Sequence, residues 1–268
     1  MSTNAKSSPV RDAILQAAAS LPKGTIDELV HFDNDLSMLL ITDSNWPQLY
    51  LDVPVDRVIA LSRRDFIHPR DTWRSIVSNL TCEDWKTDVF QYFDSPLQHN
   101  RFPPDTSTYE MRLDCMGGAC QVGIGNHRIV AGRAWLTAKY GNAARWREAK
   151  VRYWPLSAPG RTMLEKASLA NCGLRVASLR SDAGIVSFKG ERVTRFAALS
   201  NAPLRVHALG ASKLWAVSMP LRTRLFRTLQ VGYFKDMSWC EIPVDVVRYM
   251  LDDKWITAQL PTAAVAPP

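Results

Sequence analysis

The chain has 268 residues, with 33 Lys and Arg against 26 Asp and Glu, a formal charge of +7, 46% apolar residues, 13 Gly and 16 Pro. These figures exclude a wholly disordered chain, a collagen-like repeat and a small disulfide scaffold, and the length suits one large domain or two modest ones. No apolar run approaches the roughly 18–20 residues of a bilayer crossing, and Arg11 and Asp12 interrupt any would-be signal core, which predicts a cytoplasmic protein without membrane insertion.

Residues 1–30 read as an N-terminal arm, polar at first and then helical over 10–21, with Pro22 and Gly24 as stops. Residues 31–160 read as one α+β domain. Within it, Leu49 to Val53 alternate as a strand, and Pro54 suits the first turn of a helix running through Val58 and Leu61. Helical stretches are expected over 70–80 and 83–93, and the polar, proline-broken segment 98–108 reads as a loop. Residues 110–115 and 120–124 are strand-like and joined through Gly117-Gly118, a hairpin signal. Gly125, Asn126 and His127 make a tight corner. Helical spacing then runs from Arg128 through Ile129, Gly132, Trp135 and Leu136 to Tyr140, where Gly141 ends it. A strand over 149–154 closes on Pro155. Residues 161–258 form a basic C-terminal α/β region, and 259–268 a disordered tail.

The charge is unevenly placed. Residues 1–160 carry 18 basic and 18 acidic side chains, residues 161–235 carry 13 and 3, and residues 236–268 carry 2 and 5. The excess therefore lies in 161–235, the electrostatic footprint of a polyanion partner or of a solvated basic face. Arg222, Arg224 and Arg227 are its candidate nucleic-acid contacts. One internal echo, residues 52–58 against 241–247, reads either as a common strand-to-helix junction or as a degenerate second copy of the first domain. The five cysteines are scattered, with no C-x-x-C pair, and form no disulfide framework. Cys115 and Cys120 flank the Gly-Gly turn and either face each other across it or pack as free thiols, the commoner case. The five histidines include no pair at metal-ligand spacing.

The corner between the second hairpin strand and the following helix is where chemistry is expected. Helix N-termini carry unpaired N–H groups and the positive end of the macrodipole, which attract phosphate or carboxylate. Gly125 permits a sharp approach, Arg128 adds a charged donor, and His127 offers a donor or a general acid/base. Glu110 and Asp114 share a strand face by the two-residue period. With His127 they are the candidate catalytic set, either holding a divalent cation or facing solvent.

Gly125-x-x-Arg128-x-x-Ala131 resembles the GxxRxxA box of the ParB/sulfiredoxin superfamily, which lies at such a strand-to-helix corner and contacts nucleotide phosphates. Asn100 to Pro104 resembles the segment preceding the ParB nucleotide pocket. The likeness covers about residues 98–156 and implies a ParB/sulfiredoxin-like mixed sheet with flanking helices. It implies phosphate contacts at Gly125, Asn126, His127 and Arg128, with Arg133 assisting. Asn126 stands where sulfiredoxins carry their catalytic cysteine, so reductase chemistry is not implied, and the second acidic motif of chromosomal ParB proteins has no counterpart. In length and in its Trp-rich strand before Pro54 the chain is similar to plasmid fertility-inhibition factors of the Osa/FiwA type. That resemblance implies a metal-dependent DNase or NTPase, using Mg or Mn and ATP or CTP, that blocks conjugative transfer through a type IV secretion component. The alternative is a non-catalytic DNA-binding or protein-interaction module of a plasmid or other mobile element.

Overall fold

Val10, Ile14 and Ala18 recur at four-residue spacing, which sets them on one helix face. They are buried on α1 (Pro9–Ser20), whose first turn carries a proline. Arg11 fastens the same helix by donating to the carbonyls of Leu80 at 2.8 Å and Ser78 at 2.9 Å. The expected arm is thus docked into the first core. The computed structural model describes residues 8–32, 40–42, 48–104, 107, 109–178, 186–188, 191–193, 195–202, 206–210, 213–216 and 238–260. Arg222, Arg224, Arg227 and residues 261–268 of the expected tail lie outside the described residues.

A six-stranded mixed sheet follows, built from β1 (His31–Phe32), β2 (Gln48–Pro54), β3 (Val58–Leu61), β4 (Arg112–Met116), β5 (Ala119–Ile124) and β6 (Arg145–Trp154) in the order β1-β3-β5-β4-β6-β2. The hairpin is as expected, and β4 also runs parallel to β6. Pro54 does not start a long helix. It precedes one 3₁₀ turn, Val55–Arg57, after which the chain extends as β3. All four residues of β3 are buried, so its apolar run is that of a strand covered on both faces, in parallel pairing with β1 and β5. The expected helices over 70–80 and 83–93 shorten to α2 (Trp73–Ile76) with a 3₁₀ turn, and to α3 (Asp88–Asp94). Left-handed backbone at Arg70 (φ 75°) and Cys82 (φ 46°) precedes each.

Helix α4 (Asn126–Tyr140) crosses from β5 to β6 and packs with α1 and α3 on one face of this sheet. Its Gly132 lies under Trp146, where an added Cβ would stand 2.0 Å from the indole. Cys115 and Cys120, directly opposed on β4 and β5, are joined as a disulfide, so they face each other across the turn.

The C-terminal region adds α5 (Ala158–Leu169), β7 (Leu174–Ser178), a ribbon of β8 (Val186–Phe188) and β9 (Glu191–Val193), then β10 (Arg195–Leu199), β11 (Val206–Leu209), β12 (Leu214–Ala216), β13 (Ser238–Ile242), α6 (Val244–Leu251) and α7 (Lys254–Thr257). Its main sheet is antiparallel, in the order β12-β11-β10-β7-β13. The 52–58 and 241–247 echo reduces to a strand ending at a proline: one copy continues as a 3₁₀ turn, the other as α6. Met163 and Leu164 of α5 and Val247 and Met250 of α6 share a second core with Ile59, Met116 and Ala119 of the first sheet and Val176, Ala197 and Ile242 of the second. Among the described residues no helix is long and apolar enough to cross a membrane.

The Gly117-Gly118 turn packs closely against the C-terminal half. Gly118 N donates to Met250 O at 2.9 Å, and Trp255 Nε1 donates to Gly118 O at 3.0 Å. An added Cβ at Gly118 would lie 2.1 Å from Asp252 O, a backbone atom that cannot step aside cheaply. Gly118→Ala is expected to destabilise the fold by about 1–3 kcal/mol, the usual cost of overpacking, read as a lowered urea midpoint with an unchanged slope.

Candidate anion-binding corner

β3 and β5 are parallel neighbours, so the segments leaving their C-terminal ends emerge side by side. In sheets of this kind that edge is where ligands are bound. Here it brings Ser62 and Arg63, which follow β3, against Gly125 and the start of α4, which follow β5. Gly125 is left-handed (φ 103°, ψ 37°), a backbone that glycine adopts without strain. It gives the helix no side-chain cap, and the first helical bond runs from Ile129 N to Gly125 O at 3.0 Å. The N–H groups of Asn126, His127 and Arg128 precede that bond.

Asn126 ties the two loops together. Its Oδ1 accepts from Ser62 N at 3.1 Å and its Nδ2 donates to Ser62 Oγ at 3.2 Å. His127 packs against Phe66 with the two rings tilted 37° and their centroids 4.4 Å apart, and its Nε2 receives Arg63 Nη1 at 3.0 Å. A guanidinium has no lone pair to offer, so Nε2 is the acceptor and the ring is neutral in this arrangement. Burial, then the charge of Arg63, holds the His127 pKa below its ordinary 6.5, with Asp65 opposing. Arg63 itself is half exposed and rests its Nε on both carboxylate oxygens of Asp65, at 3.0 and 3.1 Å.

Arg128 turns inward. It is 6% exposed, and its Nη2 donates to Tyr109 O at 2.9 Å. Its guanidinium lies 5.2 Å from the centre of the Phe102 ring. The side chain runs beside the helix start, since a Cβ at Gly125 would stand 3.2 Å from its Nε. The guanidinium also reaches the Tyr92 phenol, where its charge and a side-chain hydrogen bond oppose the upward push of burial.

Arg133 does not join the corner. Five residues along a helix is a rotation of about 140° from Arg128. That points Arg133 at the carbonyls of Val55 (3.1 Å) and Val58 (2.7 Å), at Glu28 (3.3 Å) and onto the Trp73 ring. The expected shared strand face of Glu110 and Asp114 does not form, because β4 begins at Arg112 and leaves Glu110 in the segment before it; each acid holds a base from β6. Glu110 Oε2 takes Lys150 Nζ at 2.7 Å, and the two oxygens of buried Asp114 take Arg152 Nε and Nη2 at 2.7 Å each. Arg112 Nε adds a third contact to Asp114 at 3.4 Å. The Asp114–Arg152 pair lies across the parallel β4–β6 ladder, where Arg112, not Glu110, faces Lys150. Among the described residues no group of three or more His, Cys, Asp or Glu side chains is placed to hold a metal ion. Asn100 and Arg101 lie with Tyr50 and Glu110 around an open depression of about 250 Å³ that is also lined by Phe102 and Tyr109, the residues Arg128 touches.

The structure brings Gly125, Asn126 and His127 together with Ser62, Arg63, Asp65 and Phe66, which sequence reasoning missed, while Arg128 turns inward to Tyr109 and Phe102. No protein-family model, curated protein or solved structure matches the chain.

Two outcomes follow from this geometry. Asn126→Ala removes both ties to Ser62 and is expected to cost about 1–2 kcal/mol, a typical sum for two such bonds, measured by urea unfolding. His127, whose folded pKa is depressed, stabilises the fold above its unfolded value of 6.5 and loses that contribution as the pH falls from 6.5 through the lower folded value. Thermal melts across that window should show a fall in stability that His127→Gln removes.

Proposed function

We propose that the chain is a phosphate-binding protein with a ParB/sulfiredoxin-like first unit, and that a nucleotide or a nucleic-acid phosphate sits at the Gly125–Arg128 corner. The observation that carries this reading is the meeting of Arg63 with the uncapped start of α4 at the C-terminal ends of two adjacent parallel strands. A helix N-terminus favours negative charge by up to ~1 kcal/mol at a surface and more where partly buried, and a guanidinium adds charge-assisted donors. Arg128 is buried with its Nε close to the Cβ position of Gly125, which sets a guanidinium beside the same turn.

Binding is preferred to metal-dependent cleavage. A hydrolase of that type needs carboxylates converging on the scissile phosphate, and Glu110 and Asp114 are each already matched by a base on β6. The setting implied by the likeness to fertility-inhibition factors, a plasmid product acting on conjugative DNA transfer, belongs to this proposal as its biological context.

The test is direct. Wild-type protein is titrated with ATP, CTP and labelled single- and double-stranded DNA at low salt, and in parallel incubated with plasmid and Mg²⁺ or Mn²⁺. Saturable binding that weakens at least tenfold in Arg63→Gln, with DNA left intact, is the expected result. Absence of any binding ends the reading, and metal-dependent cleavage abolished by Glu110→Gln would restore the nuclease.

A further inference from the structure

The first sheet has two unlike faces. Leu113 and Val151 point into the core under α1, α3 and α4, with Leu49 packed against it. The opposite face is covered at one end, where Met116, Ala119 and Trp154 meet the residues of α5 and α6. Its other end is polar. Tyr50 on β2 and Arg112 on β4 both stand opposite Lys150 on β6, so the three side chains form one row across neighbouring strands of that face. The row runs into the depression of about 250 Å³, which Tyr50 lines together with His99, Asn100, Arg101, Ser107 and Tyr109.

Two chemistries meet there. The first is aromatic: the Tyr50 and His99 ring centroids lie 6.3 Å apart, and Tyr109 is 71% exposed. A single exposed ring is ordinary, but three around one depression make a stacking surface. Tyr109 also stands on a fixed backbone, because Arg128 holds its carbonyl at 2.9 Å and lies against Phe102. The second chemistry is cationic. Glu110 is matched by Lys150 and Asp114 by Arg152, so Arg101 and Arg112 leave this end of the face with an excess of positive charge. Rings that accept any planar base, beside cations that accept phosphates, are the means by which single strands are bound. A duplex keeps its bases stacked inside and can use the cations alone. A cationic ligand would be opposed by Arg101 and Arg112, and an apolar one would leave them unused.

We propose that this end of the sheet face binds a single-stranded nucleic acid, with one base stacked on Tyr109 beside Tyr50 and His99 and the neighbouring phosphates on Arg101 and Arg112. The depression is smaller than the roughly 300–1,000 Å³ of a drug-sized pocket, so it takes one base while the strand continues along the row. DNA and RNA share this chemistry. The surface lies apart from the Gly125 corner, and it stands or falls without the phosphate reading above.

The test uses the full chain with labelled oligo-dT, oligo-rU and a duplex of the same length, at about 0.15 M salt. At least one of the two single strands should bind about tenfold more tightly than the duplex, since only an unpaired base can stack. Tyr109→Ala removes a largely exposed ring and should leave the urea midpoint unchanged. It should weaken single-strand binding about fivefold or more, the smaller end of what one stacked base contributes. Arg101→Gln should reduce the slope of log affinity against log salt by about 0.7, the value of one phosphate on a single strand. Photocrosslinking from iodouracil within the strand, read by peptide mass spectrometry, should mark Tyr109, Tyr50 or His99. No binding of either single strand, equal binding of the duplex, an unchanged affinity in Tyr109→Ala or crosslinks confined to other segments each overturn the proposal. Parallel titrations with ATP and CTP keep the two sites distinct: Tyr109→Ala should leave them unchanged, whereas Arg63→Gln reports on the corner. Nucleotide binding that falls in Tyr109→Ala overturns the separation of the two sites.

Discussion

The Arg133 guanidinium, 3% exposed in the middle of the first sheet's helical layer, is the contact on which the site depends. Burying such a charge costs several kcal/mol unless its donors are matched. Here Nη1 is matched by the carbonyls of Val55 and Val58 and Nη2 by Glu28, the buried Nε has no hydrogen-bond partner, and the cation lies 4.3 Å from the centre of the Trp73 ring. Those two carbonyls belong to the 3₁₀ turn after β2 and to the first residue of β3. Arg133 thus fixes where the chain turns into β3. That start sets β3 against β5 and, four residues on, delivers Ser62 and Arg63 to the beginning of the same helix that carries Arg133. One helix pins the turn from its middle and receives the loop at its end.

This explains how one sequence signal was sound and its neighbour misleading. The stretch from Gly125 to Gly141 is local: a glycine corner, helical spacing and a glycine stop all fall within one element, and α4 follows them. Arg133 sits in the same stretch and shares the basic chemistry of Arg128. Only the identity of what lies across the helix, the turn at Val55 to Val58, decides that it is structural. Val58 to Leu61 was read as a helical continuation because Pro54 and the apolar spacing permit it. A buried parallel strand has no alternation to display, so its four apolar residues carry no period to distinguish it. With β3 unread, Arg63 had no reason to be placed 64 positions from its partner His127. The hairpin at Gly117-Gly118 was legible because its turn chemistry is local. Its docking beneath Met250 and Asp252 was not, because that packing joins segments more than 130 residues apart.

The same reasoning separates Asp114 on β4, and Glu110 just before it, from the acid beside the corner. The two-residue period predicts one strand face for Glu110 and Asp114, but β4 begins only at Arg112. The parallel partner β6 sets Arg152 directly opposite Asp114, and Lys150, opposite Arg112, reaches back to Glu110. Charge pairs facing across strands are a usual unit of sheet stabilisation, and buried Asp114, with two bonds to Arg152, would leave an unpaired guanidinium if removed.

Asp65 differs because its side-chain partner is Arg63, the base beside the corner. By receiving Arg63 Nε it steadies the guanidinium while leaving one terminal nitrogen on His127 and the other without a bond to either side chain. Its own pKa is held down chiefly by that bond, so it stays a carboxylate wherever the imidazole titrates. A carboxylate this close would repel an incoming anion if it stood alone. Paired with Arg63 it converts a mobile cation into an oriented one, and the remaining positive field comes from the helix end and from Arg128 below. Around the start of α4 the charged groups are thus Arg63, held by Asp65, and the buried Arg128, with the imidazole of His127 packed beside Arg63.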